Sequence, residues 1–250
     1  MCRHLAYVGP PVALDALLLR PAHSLLRQAS APRLQVATHD NPDGFGAGWY
    51  ADGAATPERY RTATPMWADE RFLALAAGIH AGAVLAAVRN ATPGSVIEVT
   101  GNAPFTSGPW LFSHNGYVAG FRTGVADELR ARTSAHRLAG IEGDTDSEAL
   151  FALVLDHLDR GCTAIDALAA TVATARELGG GYLNLLLTDG HAIAATAVGN
   201  SLFVLDRAGA RVVASEPFDD DPAWQAVPDG STVVADGAGI HCHPLPEDGP

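Results

Sequence analysis

The chain has no lysine: all 16 of its Lys/Arg residues are arginine. That absence removes enzymes built on a Schiff-base lysine, on the lysine of a phosphate-binding loop, or on the lysine of a kinase. Cysteine is scarce. Cys2, Cys162 and Cys242 are too few to staple a secreted fold, so a reducing cytoplasm is the expected setting. Long apolar runs are missing too: Gly82–Val88 is far short of a membrane span, and no basic segment followed by an apolar one opens the chain as a leader would. Positive charge is outweighed, with 16 basic against 28 acidic residues and a net charge of −12, which is the wrong sign for a nucleic-acid footprint.

What is present suits a folded body. With 250 residues, 48% of them apolar and 18% charged, the chain can bury a real core. Its length suits one large domain or two small ones. The patterning predicts a strand over Cys2–Val8, a short helix over Val12–Leu19, and a turn then a Gly-interrupted strand over Ala37–Tyr50. A helix is expected over Ala68–Gly78 with Asp69 and Glu70 in its first turn, then strands over Val84–Arg89 and Trp110–His114. Thr145 and Glu148 form a capping-box pattern before a helix to Asp159, and Ile165–Leu178 reads as a second long helix. Antiparallel strands follow at Tyr182–Thr188, Ala192–Val198, Ser201–Asp206, Arg211–Ser215 and Thr232–Ala235, with links short enough for hairpins. Sheets with helices outside them are expected, not a βαβ repeat.

Cys2 is the most informative residue. An initiator Met before a small residue is ordinarily removed, which would leave an α-amine and a thiol on one residue. Their reference pKa values, near 7.7–8.0 and 8.5, let one act as base and the other as nucleophile. A small buried apolar residue is the plainer alternative. Ser113-His114-Asn115-Gly116 follows an apolar strand. Asn-Gly reads first as a plain hairpin turn, but the Asn115 amide and the Gly116 N–H can instead serve as two donors to an oxyanion. His114 alternates away from Asn115 and suits a structural role.

Arg89 ends an apolar strand and can offer a planar fork to a carboxylate. Asp146, in the first turn of a helix, can serve the helix dipole or accept from an ammonium; with Arg89 it would read a zwitterion. The Gly-rich 43–48 stretch lacks the spacing of a dinucleotide or calcium loop, and its glycines suit close backbone passage. His241-Cys242-His243 resembles a metal tract, but no further ligand lies at the usual spacing, and no metal site is expected.

Taken together, Cys2, N-P-D-G-F-G-A-G-W at 41–49, A-V-R-N-A-T-P-G at 87–94, S-H-N-G at 113–116 and G-D-T-D-S-E at 143–148 resemble the class II glutamine amidotransferases. The similarity runs from residue 1 to about 235, which implies a single domain over 1–250 with 236–250 as a C-terminal tail, and five motifs in family order make it specific. Within the family the chain is most similar to the amidohydrolase branch of ergothioneine biosynthesis, with supporting stretches M-C-R-H at 1–4, A-P-R at 31–33, A-P-F at 103–105 and V-V-A-S-E-P-F at 212–218. It departs from the family's H-T-R-W at Ala87–Asn90, and from its N-x-H-P-F at Asn102–Phe105.

The resemblance implies an α+β fold: a four-layer αββα sandwich of two mainly antiparallel sheets, of the N-terminal nucleophile hydrolase type. It implies Cys2 as nucleophile and its amine as base, with Asn115 and Gly116 as the oxyanion hole. Arg89, with Thr92 nearby, would hold a glutamyl carboxylate, and Asp146 the glutamyl amine. No cofactor is implied. The expected partner is a small γ-glutamyl substrate, not nucleic acid or membrane, and a homo-oligomer stays open. The chain has no room for a synthase domain, which favours hydrolysis of a larger γ-glutamyl amide, γ-glutamyl-hercynylcysteine S-oxide in that branch. A general glutaminase or γ-glutamyl peptide hydrolase, a glutaminase subunit of a separate synthase, and a non-enzymatic interaction module are the alternatives.

Overall fold

The computed structural model describes residues 2–36, 39–92 and 94–246. Met1, and Ala37 at the start of the expected turn, lie outside that range.

The strands are β1 (Arg3–Ala13), β2 (Phe45–Tyr50), β3 (Glu58–Thr62), β4 (His80–Val88), β5 (Phe105–Ser107), β6 (Trp110–Val118), β7 (Gly181–Thr188), β8 (Ile193–Ala197), β9 (Phe203–Arg207), β10 (Ala210–Ala214), β11 (Gln225–Ala226), β12 (Ser231–Asp236) and β13 (Gly239–Pro244). The helices are α1 (Leu14–Leu18), α2 (Leu25–Ser30), α3 (Glu70–Leu75), α4 (Val125–Ala131), α5 (Ala135–Leu138), α6 (Asp146–Asp159) and α7 (Ala164–Glu177). The first sheet runs β11-β9-β10-β1-β4-β2-β3 and the second β13-β12-β8-β7-β6-β5; the described pairs are antiparallel.

Strand alternation sorts side chains into four layers. Leu5 and Tyr7 of β1 face outward onto Leu14, Leu18 and Leu25 of the first two helices. Ala6 and Val8 face inward, meeting Leu111, Leu186 and Ala195 of the second sheet. On that sheet's far side Phe112, Leu185 and Leu187 pack against Leu150, Phe151 and Leu168 of α6 and α7. The architecture is therefore the αββα sandwich.

Gly48 makes the close approach of the sheets feasible, since a Cβ there would fall 2.7 Å from a Leu111 methyl. At Gly46 it would fall 2.4 Å from the Ala103 carbonyl oxygen. The Gly-rich stretch thus serves packing next to the nucleophile strand.

Several local expectations need correction. Asn115-Gly116 is not a turn: β6 runs through it, with Asn115 opposite Asn184 and Gly116 opposite Leu183. The Gly199-Asn200 link is not a hairpin but a crossing, since β8 belongs to one sheet and β9 to the other. Asp69 caps α3, accepting from the Phe72 N–H, and does not occupy its first turn. The capping box is half made: Thr145 accepts from the Glu148 N–H, while the Glu148 carboxylate reaches the N–H groups of Glu142 and Gly143. β13 lies inside the segment expected as a tail.

Candidate active site

β1 is a central strand, flanked by β10 and β4, so the chain from Arg3 onward is held on both sides. Cys2 stands at its head and is half-buried. The Cys2 backbone nitrogen donates to Asn115 Oδ1 at 3.1 Å, and its Sγ lies 3.9 Å from the Asn90 carbonyl oxygen. Asn115 is fully buried between the sheets and donates from Nδ2 to Ser215 Oγ at 3.3 Å. Ser215 Oγ also accepts from the His4 N–H at 3.0 Å, and His4 Nδ1 meets Ser113 Oγ at 3.0 Å. Cys2, His4, Ser113, Asn115 and Ser215 thus form a polar clasp joining the two sheets directly behind the thiol.

β6 has an open edge. β5 pairs with it only from Trp110 to Phe112, so beyond that point the N–H groups turned away from β7 have no strand beside them. The Val118 N–H, on that edge, donates to Asp146 Oδ2 at 2.9 Å. Residues two apart in a strand present their N–H groups on the same side, so the Gly116 N–H opens onto the same edge. A side chain at 116 is excluded, because its Cβ would sit 1.7 Å from the Tyr182 carbonyl oxygen. Asp146 also accepts from the Ser147 N–H through Oδ1 at 2.8 Å, so the carboxylate is fixed at the first turn of α6.

Arg89 follows β4 and is 7% exposed. Its guanidinium is aimed by the Val96 carbonyl oxygen at 3.2 Å and by Asn102 Oδ1 at 3.5 Å. Neither of these two partners is a carboxylate. Asp43, from the N-P-D-G stretch, accepts the Ala91 N–H at 2.7 Å and pins the loop carrying Thr92.

Cys2, Arg89, Thr92, His114, Gly116 and Asp146 line one cavity of about 40 Å³. Five of the six expected site residues share this wall, and Asn115 sits immediately behind it on the Cys2 nitrogen. His114 also lines it, but both ring nitrogens are occupied, by Ser147 Oγ and the Tyr182 carbonyl.

Sequence reading missed the clasp and its neighbour, the buried pair of Arg3 and Glu216, 3.7 Å apart and 1% and 0% exposed. Glu216 also accepts from the Arg33 and Leu34 N–H groups, tying that loop to the nucleophile strand. Burial lowers the Arg3 pKa, opposed by Glu216 and Cys2. Burial also holds His4 well below the ordinary histidine value, with Arg3 and His114 adding to the effect. The advance signals were the M-C-R-H, S-H-N-G, A-P-R and V-V-A-S-E-P-F stretches, whose pairing with one another depends on sheet packing.

The molecule is thus a layered sandwich with a cysteine at the head of a central strand, its backbone nitrogen held by Asn115 of the opposite sheet. The family profile for Glutamine amidotransferases class-II matches residues 26–210, and the chain belongs to that family of N-terminal nucleophile enzymes. Among curated relatives it is 39% identical to the gamma-glutamyl-hercynylcysteine sulfoxide hydrolase of Mycolicibacterium smegmatis, covering 98% of this chain and 100% of the relative. It is also 39% identical to the protein of that name from Mycobacterium tuberculosis, covering 96% and 95%.

Among solved structures, the glutamine aminotransferase class-II domain protein of Silicibacter pomeroyi superposes with a TM-score of 0.72 at 23% identity, covering 98% and 100%. Glutamine phosphoribosylpyrophosphate amidotransferase of B. subtilis superposes at 0.69 and 15% identity, covering 98% of this chain but 49% of that one. These two establish the shared fold. Among the described residues no helix is long and apolar enough to cross a membrane.

Proposed function

We propose that the protein hydrolyses the γ-glutamyl amide of γ-glutamyl-hercynylcysteine sulfoxide, through a γ-glutamyl thioester on Cys2. One observation carries the reading. The Cys2 thiol, the Gly116 edge, the Arg89 guanidinium and the Asp146 carboxylate share a single small cavity. The near-full-length similarity to hydrolases of that name supplies the substrate. The three cysteines are free, which fits a reducing cytoplasm as the setting.

In this reading, Arg89 takes the glutamyl α-carboxylate and Asp146 the α-ammonium, with Thr92 at the rim. Holding both ends presents the γ-carbonyl to the thiol and supplies the gain of an oriented, effectively unimolecular attack. After Met1 is removed, the Cys2 amine, oriented by Asn115 Oδ1, takes the thiol proton. The thiolate attacks the γ-carbon, and the oxyanion faces the Gly116 N–H and the second hydrogen of Asn115 Nδ2. The ammonium returns its proton to the leaving nitrogen as the C–N bond breaks. Water, deprotonated by the same amine, then cleaves the thioester to glutamate and restores the thiol.

The test is glutamate release by the wild type and by Cys2→Ala, alongside the intact mass of each protein. We expect release only from a wild type that has lost Met1, and none from Cys2→Ala. Undiminished turnover by that variant rejects the mechanism. Comparing kcat/KM on glutamine, glutathione and the hercynyl substrate tests the substrate, and a preference for free glutamine rejects it.

A further inference from the structure

Asn115 carries two duties in the proposed mechanism, and one planar amide has to serve both. Its Oδ1 accepts from the Cys2 nitrogen at 3.1 Å, while the second hydrogen of its Nδ2 is the one offered to the oxyanion. The two ends of an asparagine amide have nearly the same shape, and the torsion that exchanges them has two broad wells. Turned over, the amide would donate to the lone pair that the Cys2 amine needs as a base, and would set an oxygen against the oxyanion. One hydrogen bond to the Cys2 nitrogen leaves that rotation open. A second anchor is needed at Nδ2.

Ser215, the residue after β10, stands there. Its Oγ lies 3.3 Å from Asn115 Nδ2 and also accepts from the His4 N–H at 3.0 Å. The Ser215 N–H donates to the His4 carbonyl oxygen at 2.9 Å, and the Ser215 carbonyl oxygen accepts from Ser201 Oγ at 2.8 Å. Backbone and side chain are both tied, and two of the ties run to β1, the strand that Cys2 heads. Ser215 and Asn115 are each 0% exposed. Beside the cavity runs an open groove of about 410 Å³, with Tyr117, Arg122 and Asp144 on its walls, which meets the cavity at Thr145 and Asp146. The described residues on the walls of cavity and groove do not include Ser215. A side chain off both surfaces acts through what it holds.

We infer that Ser215 is a positioning residue of the reaction, fixing the Asn115 amide with Oδ1 on the base and Nδ2 toward the oxyanion. The inference rests on the hydrolase reading above and adds a residue to it. A serine oxygen suits the task because its two lone pairs take the His4 N–H and the Asn115 Nδ2–H together. The donor is then aimed before charge develops on the substrate, which is where such donors have their effect. Arg89 and Asp146, which hold the glutamyl ends, are not among the groups Ser215 touches, so its effect falls on the chemical step.

The experiment follows glutamate release from γ-glutamyl-hercynylcysteine sulfoxide by the wild type, Ser215→Ala, Ser215→Cys and Ser215→Thr, with the folded fraction of each read by circular dichroism. Alanine removes the acceptor and cysteine puts a weak one of similar size in its place, so either serves if the other fails to fold. Per folded molecule, kcat should fall about tenfold or more in both, short of the 10²–10³-fold that loss of an oxyanion donor itself costs. KM should stay within about twofold of the wild type, and Ser215→Thr, which keeps the hydroxyl, should retain most of kcat. The Asn115 Oδ1 bond favours the protonated amine, so in the Ala and Cys variants the acidic limb of kcat/KM should move to lower pH. An unchanged kcat, a loss carried by KM, an unmoved acidic limb, or a Ser215→Thr no better than Ser215→Ala overturns the inference. A wild type that releases no glutamate sinks the hydrolase reading and the inference with it, whereas an active wild type matched by Ser215→Ala sinks the inference alone.

Discussion

The cavity at Cys2 and the groove beyond Tyr117 are neighbours made by different means. The cavity is set by strands: Cys2 heads a central strand, Gly116 lies inside β6, and their support is a buried clasp of Asn115, Ser215, His4 and Ser113. The groove is set by the turn after β6 and the segment before α6, and its charged pair is exposed, 43% for Arg122 and 56% for Asp144. Groups that must meet a reacting carbonyl within a few tenths of an ångström are placed where neighbouring strands fix them. Groups that sit on loops can change at little cost to the core.

The sharpest way to break this contrast is Asn115→Ala. It removes the acceptor of the Cys2 nitrogen and a proposed oxyanion donor together, so kcat should fall about 10²–10³-fold. The loss should be the same on glutamine and on a large γ-glutamyl amide, read from steady-state kinetics on both. A loss confined to the large amide would remove Asn115 from the oxyanion role.

A smaller effect concerns stability. His4 is buried with its pKa well below the ordinary value, and among the described residues its Nε2 has no hydrogen-bond partner. Below about pH 6.5 the unfolded chain binds a proton there that the folded chain resists. Stability is therefore intact above that pH and falls as pH drops through it, by up to about 1.4 kcal/mol per unit for this one proton. Urea unfolding at pH 7.5 and 5.5 should show the drop, and His4→Gln should shrink it. His157, whose pKa burial also lowers, contributes in the same direction and remains in that variant. A drop of the same size in both proteins would remove His4 from the account.

The smallest effect belongs to the groove. Arg122→Ala breaks an exposed ion pair and should cost no more than about 1 kcal/mol, a melting shift of a few degrees at most. A loss of several kcal/mol would mean the groove is as structural as the cavity.

Much of this was legible in the chain. β1, β6, α6 and α7 announce themselves by period, and Cys2, Arg89, Thr92, Gly116 and Asp146, each singled out from its motif, line one cavity. Asn115-Gly116 misled because a turn signal and a strand glycine look alike in one dimension. What excludes a side chain at 116 is the Tyr182 carbonyl, 66 residues away in sequence. β3, β5 and β13 are short edge strands with little alternation to see. The Ser215 clasp and the Arg3–Glu216 pair arise from register between distant strands, which no local pattern encodes.

A sheet that stops early usually exposes a seam onto which another chain can add. Here the stretch of β6 past Phe112 is such a seam, half closed by the first carboxylate of α6. Under the proposed function, the carbonyl seated on the remaining N–H is the substrate's own, standing where the next strand's would be. An extended peptide whose backbone carbonyl reaches that vacancy is then a rational starting point for an inhibitor, one that mimics protein architecture rather than glutamate.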